Sequence, residues 1–167
     1  MATLVLGIDV GTTSTKVVLA DPASGVVGQA SEPVALHSPH PGWAEADPAQ
    51  WWSNLAALVP AVLAAASITT GRHVAAEDIA AVATTGMVPA VIPVDDAGRP
   101  LRRAILQNDA RATAEIRELA AALPDLDFVT RTGSALTQQS VGPTLLWLAR
   151  HEPDAWAQAA TVQGSYD

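Results

Sequence analysis

The first element is legible from alternation: in "LVLGIDV", residues 4–10, Val5, Gly7 and Asp9 share one face of an extended strand. Two further β-branched, apolar stretches follow at residues 15–20 and 26–34, separated by "GTTS" and "DPASG", so an antiparallel meander is expected. After a proline-containing loop the apolar spacing becomes helical. Asp47 and Pro48 offer an N-cap and a first-turn proline, and Trp51, Leu55, Leu58, Val62 and Ala65 predict a helix to about residue 67. Pro60 lies inside it and removes a hydrogen bond, at about 3 kcal/mol without compensating packing, so a kink or two shorter helices are expected. Short strands at 79–84, 88–94 and 101–106 come next, the last two joined by "DDAG". Helices are expected after Asp109, over 143–150 and over 153–160, each of the last two opening with proline. Strands, a helix, more strands and more helices together indicate an α/β class.

Length and composition narrow the picture. A chain of 167 residues can bury one substantial core, and a single compact domain is the first expectation. The longest apolar run, 55–66, is interrupted by Pro60 and is shorter than the roughly 20 residues of a membrane span, so no membrane partner is expected. Without a secretory leader pattern or any cysteine, the expected address is cytoplasmic, and thiolate chemistry and disulfides are excluded. The four histidines lack close ligand spacing. A formal charge of −8, from 17 acids against 9 bases, argues against nucleic acid as a partner.

The chemistry concentrates in "GIDVGTTST". Gly11 lets a backbone approach closely, and Thr12, Thr13 and Ser14 present amides and hydroxyls able to cradle phosphate oxygens; an ordinary hairpin turn uses the same residue types. Asp9 tips the comparison. A carboxylate there must be solvated, paired or bound to a cation, and beside a phosphate it would be repelled by about 1–4 kcal/mol at surface-like dielectric values. Mg²⁺ between them reverses that sign, since it takes one or two carboxylates together with phosphate oxygens. Lys16, the only lysine, reads as a solvated edge residue more readily than as a phosphate ligand. The stretch is neither a P-loop nor a three-glycine dinucleotide turn.

"LGIDVGTTSTKVVLAD" resembles the first phosphate motif of FGGY-type sugar kinases, within the actin, Hsp70 and hexokinase superfamily. Two more stretches resemble that family in order: "PGWAEADPAQWW" and "DDAGRPLRRAILQNDARA", and "PTLLWLARHEPDAW" is similar to a helix of xylulose kinases. The resemblance implies a ribonuclease H-like (actin-like ATPase) α/β domain, a mixed sheet built from the three-strand meander plus further strands, with flanking helices. It implies ATP and Mg²⁺ as cofactors and a small-molecule sugar or polyol as substrate. Asp9 would hold Mg²⁺ through water, and Gly11, Thr12 and Thr13 would contact the phosphates. Met87, Gln107, Asn108 and Asp109 would meet the sugar, Asp109 accepting from its hydroxyls; a second reading makes Asp109 the N-cap of the following helix. Met87 reads equally as core packing.

Two departures from xylulose kinases bear on specificity. Met87-Val88-Pro89 stands where those enzymes carry Gln-Met-His, and Gln107 where they carry tryptophan, which alters the hydroxyls recognised. Trp43, Glu45, Trp51 and Trp52 are read as structural, and Gln138 and Gln139 as loop residues able to reach the cleft. The family's catalytic base is an aspartate in a "G-G-D" stretch that has no counterpart here, so no catalytic residue is expected in this chain. With "TVQGSYD" at its end, residues 1–167 are expected to be the N-terminal lobe, with the C-terminal lobe absent and little activity alone. The alternative is a non-catalytic binding module that keeps the fold and forms a homodimer.

Overall fold

The computed structural model describes residues 3–167. In chain order its elements are β1 (Leu4–Val10), β2 (Ser14–Asp21), β3 (Gly25–Pro33), β4 (Glu45–Ala46), α1 (Pro48–Thr70), β5 (Ile79–Gly86), β6 (Ala90–Val94), β7 (Ala104–Leu106), α2 (Thr113–Ala122), α3 (Phe128–Thr132), α4 (Val141–His151), α5 (Pro153–Gln158) and β8 (Thr161–Gln163). They build two compact units, not the single one that chain length suggests.

The first unit takes residues 1–35 and 47–87 together with Tyr166. Its sheet has the order β3-β2-β1-β5: the expected antiparallel meander, with β5 added parallel to β1. Leu4 and Leu6 of β1, Val17 and Leu19 of β2 and Val27 of β3 meet Leu58, Val62 and Ala66 of α1 in one core. Val5, Gly7 and Asp9 face away from it, because side chains alternate along a strand. A register slip of one residue would drive the Asp9 carboxylate into the core.

Helix α1 runs unbroken for 23 residues. Asp47 caps it by accepting from the Ala49 amide at 2.9 Å, and Gly71 closes it in the left-handed region at φ 67°. The expected division at Pro60 does not occur. Pro60 is exposed, where water can satisfy the carbonyl its ring leaves free, while Leu58, Val62 and Ala66 continue the buried stripe past it. By length and by a mean hydropathy of 1.5 this helix suffices to cross a bilayer, contrary to the expectation from its interrupted apolar run. Here that stripe packs on β2 and β3 instead.

The second unit takes residues 36–46 and 88–165 together with Asp167. Its sheet, β4-β7-β6-β8, is antiparallel throughout. Val91, Ile105, Ala112, Trp147 and Leu148 form its core, with Trp43, Leu145 and Val162 against them. Asp127 caps α3: bonds from the Thr130 hydroxyl and amide hold its carboxyl below the usual carboxylate range. β4, α3 and β8, of two to five residues, are too short to leave a periodic signature.

Helix α1 and the sheet of the first unit approach each other closely at Gly28. A Cβ built there would lie 2.6 Å from the Val62 carbonyl oxygen and 3.3 Å from the Ala66 nitrogen, both backbone atoms that cannot rotate aside. Gly28→Ala is therefore expected to lift α1 from β3 and destabilise the unit by about 1–3 kcal/mol. Urea unfolding followed by circular dichroism checks this, with Gly7→Ala, where the nearest atom is in ordinary contact at 3.9 Å, as the comparison.

Candidate active site

β1 and β5 run parallel, and their carboxyl ends bring Asp9, Gly11 and Met87 to one edge of the first sheet. Ligands of open α/β sheets gather at such edges. The turn between β1 and β2 is tight: the Gly11 amide donates to the Ser14 carbonyl at 3.0 Å. A Cβ on Gly11 would stand 2.9 Å from that oxygen, so no other residue fits without reopening the turn. Behind it, the Val34 amide donates to Thr13 O at 3.0 Å, and Asn54 Nδ2 of α1 donates to Pro33 O at 3.0 Å. Gln50 accepts from the Ala35 amide at 2.9 Å. The two carboxamides on the first turns of an otherwise apolar helix thus brace the strand that backs the turn.

Asp9 stands on the open face, its side chain 41% exposed. It lines a cavity of about 400 Å³ with Gly7, Lys16, Val18, Ala83 and Thr85. Asp9 and Lys16 are directly opposed across the β1–β2 ladder, and Lys16 Nζ lies 3.8 Å from Asp9 Oδ2. Among the described residues this is the only partner of the carboxylate, and at this exposure the pair is weak. An open carboxylate beside a turn held tight at Gly11 fits a hydrated divalent cation carrying phosphates. Lys16 is no edge residue as expected, because β3 covers the far side of β2. Met87 is buried and its amide donates to Val10 O at 3.0 Å.

In the second unit, Gln107 and Asn108 sit at the apex of the turn leaving β7. With Thr113, Ile116, Thr137, Gln138 and Gln139 they line an open cavity of about 640 Å³. Every polar side chain in this lining is an uncharged amide or hydroxyl, which suits a neutral polyhydroxyl compound. The turn is held on both sides by the loop before β4: Leu106 N donates to Ala44 O at 3.0 Å and Ala110 N to Gly42 O at 2.8 Å.

Asp109 does not cap α2, which starts at Thr113, so the N-cap reading is corrected. It lies beside the polar cavity, lining a narrow pocket that shares Thr113, Ile116, Thr137 and Gln138 with it. Its Oδ1 accepts from Arg111 N and Nε, both at 2.8 Å; its Oδ2 accepts from Ala44 N at 2.6 Å and from Arg111 Nη2 at 2.8 Å. Two oxygens offer about four acceptor sites, and protein donors occupy four of them.

Arg111 is the hub of this cluster and is 1% exposed. Its guanidinium carbon lies 3.7 Å from the Trp43 ring centre and 5.0 Å from that of Trp147, and Nη2 also reaches Glu45 Oε1 at 2.8 Å. Glu45 accepts from Arg102 as well, and Arg102 Nη1 bonds Glu152 at 2.5 Å. Sequence reasoning assigned no role to Arg111 or Arg102; the Asp-x-Arg spacing was the available signal, since a planar fork reaches back to a carboxylate two residues away. Removing one partner from such a buried set leaves a charge uncompensated. Arg111→Ala is expected to cost about 3–5 kcal/mol in chemical denaturation. Arg99→Ala, which removes an exposed pair with Asp95, is expected to cost no more than about 1 kcal/mol.

The sequence profile of the N-terminal domain of the FGGY family of carbohydrate kinases matches residues 4–167. The xylulose kinase of Escherichia coli K12 is 33% identical over 157 residues, covering 94% of this chain and 30% of that protein. The glycerol kinase of Rhizobium rhizogenes is 34% identical, over 96% of this chain and 31% of that one. Among solved structures, a xylulose kinase from Rhodospirillum rubrum superimposes with a TM-score of 0.83 at 46% identity, covering 98% of this chain and 32% of that one. The chain therefore spans about 30% of the length of the curated relatives it matches. The mixed α/β architecture is that of actin-like ATPase sugar kinases, as the resemblance implied. By family profile, by identity and by fold, the chain belongs to the FGGY family of carbohydrate kinases, matching its N-terminal domain.

Proposed function

We propose that this chain is the N-terminal lobe of an ATP-dependent kinase that transfers the γ-phosphoryl group of ATP to a hydroxyl of a neutral sugar or polyol. The observation that carries the reading is Asp9: a half-exposed carboxylate at the carboxyl end of β1, two residues before Gly11, where the turn has no room for a Cβ. Asp9 would hold Mg²⁺ through water, and the amides and hydroxyls of Gly11, Thr12 and Thr13 would hold the phosphates. The cation, when bound, neutralises charge on the phosphoryl oxygens. Lys16 sets the local charge by standing opposite Asp9.

The uncharged lining formed by Gln107, Asn108, Gln138 and Gln139 supports a neutral polyhydroxyl substrate, since each carboxamide can both donate to and accept from hydroxyls. Buried Met87, next to the end of β1, closes the phosphate edge on its β5 side. The base that takes the hydroxyl proton is proposed to come from the remaining two thirds of the complete kinase, in keeping with the length of the relatives. The reading assigns the protein to the cytoplasm, with neither nucleic acid nor membrane as a partner.

Two measurements test it. Calorimetry on the 167-residue chain is expected to give weak heat with Mg·ATP that Asp9→Ala abolishes. A chain that gives none and elutes as a stable dimer overturns the kinase reading in favour of a binding module. In a coupled assay with pentoses and polyols, the chain alone is expected to turn over far below the ordinary kinase range of about 1–100 s⁻¹. Ordinary turnover would contradict a base supplied from elsewhere.

A further inference from the structure

We infer that Asp109 and Arg111 are positioning residues for sugar recognition: together they clamp the turn that presents Gln107 and Asn108, without touching the substrate. The inference rests on the kinase reading above and adds how its sugar site is held. Three strands of evidence converge on the turn. Its two ends are hydrogen bonded to the same loop, Leu106 N to Ala44 O and Ala110 N to Gly42 O. The Asp109 carboxylate locks that loop a third time by accepting from Ala44 N at 2.6 Å. Arg111 then fixes the carboxylate through three donors while its own plane rests on Trp43, one residue from Ala44.

The consequence is a rigid pedestal. Gln107 and Asn108 have carboxamides with free rotation about their own side-chain bonds, but their Cα positions are set by bonds on either side. Hydroxyl recognition needs donors placed to within a few tenths of an ångström, and small displacements weaken several bonds at once. Glu45, shared between Arg111 and Arg102, extends the clamp to Glu152 at the end of α4. The turn is therefore referenced to a helix of its own unit as well as to β4.

The complete kinase is the material for the test, with Asp109→Asn, which keeps the shape but removes the charge, and Arg111→Lys, which keeps the charge but loses the planar fork. Hydrogen exchange at the Leu106 and Ala110 amides is read without substrate, and steady-state kinetics are read on the sugar and its deoxy analogues. Both variants are expected to speed that exchange and raise KM for sugar by at least about tenfold, by a similar factor for every deoxy analogue, with KM for ATP unchanged. If the penalty disappears for one deoxy analogue, Asp109 binds that hydroxyl and the inference is overturned. A fall in kcat alone, or unaltered exchange in both variants, also overturns it. If the parent enzyme phosphorylates no sugar while the two amides still respond, the kinase reading fails and the clamp stands.

Discussion

A carboxylate cannot be left dry and unpaired inside a protein, and this constraint organises both units. In the first, the solution is exposure. The alternation of β1 puts Leu4 and Leu6 under α1 and leaves Asp9 on the open face, where among the described residues its partner is the exposed Lys16. In the second, the solution is compensation. Asp109 and Glu45 are buried, and Arg111 and Arg102 supply the opposing charge with fork geometry. The first arrangement leaves lone pairs facing solvent, and the second fills them with protein donors.

The same contrast separates rigidity from reactivity. The glycine turn beside Asp9 is fixed from behind by Asn54 and Gln50, so a backbone that must approach a ligand closely does not need to be held by the ligand. The turn bearing Gln107 and Asn108 is fixed by the loop of residues 42–44, which follows Pro39 and Pro41 and leads into β4. In each unit a segment with no chemistry of its own determines where the polar groups stand. Trp43 belongs to this class: its ring covers Arg111 and packs at right angles on Trp147. Stacking lets a buried guanidinium lose water while keeping favourable contact on its faces.

Much of the fold was legible because it follows from local rules. Period-two alternation gave β1 with its observed ends and put Asp9 on the face of Val5 and Gly7. The Asp47-Pro48 pair gave the start of α1, and the glycine and hydroxyl residues gave the turn between β1 and β2. The elements that escaped, β4, α3 and β8, have too few residues for any period to show, and they exist because partners elsewhere in the chain pair or pack with them. The effect of Pro60 was also undecidable locally, since the cost of a lost hydrogen bond depends on whether that side of the helix faces water.

By itself, then, the sequence determined the α/β class, the meander and the strand face that Asp9 shares with Val5 and Gly7, because alternation, capping and turn chemistry act over a few residues, and its motifs carried the family resemblance. Tertiary structure decided the roles of the residues in "LQNDAR". Which of its polar groups meets solvent and which is saturated depends on Ala44, Glu45 and Trp43, sixty or more positions away in the chain. A carboxylate looks the same in the sequence whether its lone pairs are free or filled. Only the fold, by bringing donors from a distant loop against it, makes Asp109 part of a scaffold and leaves Gln107 and Asn108 to face the cavity.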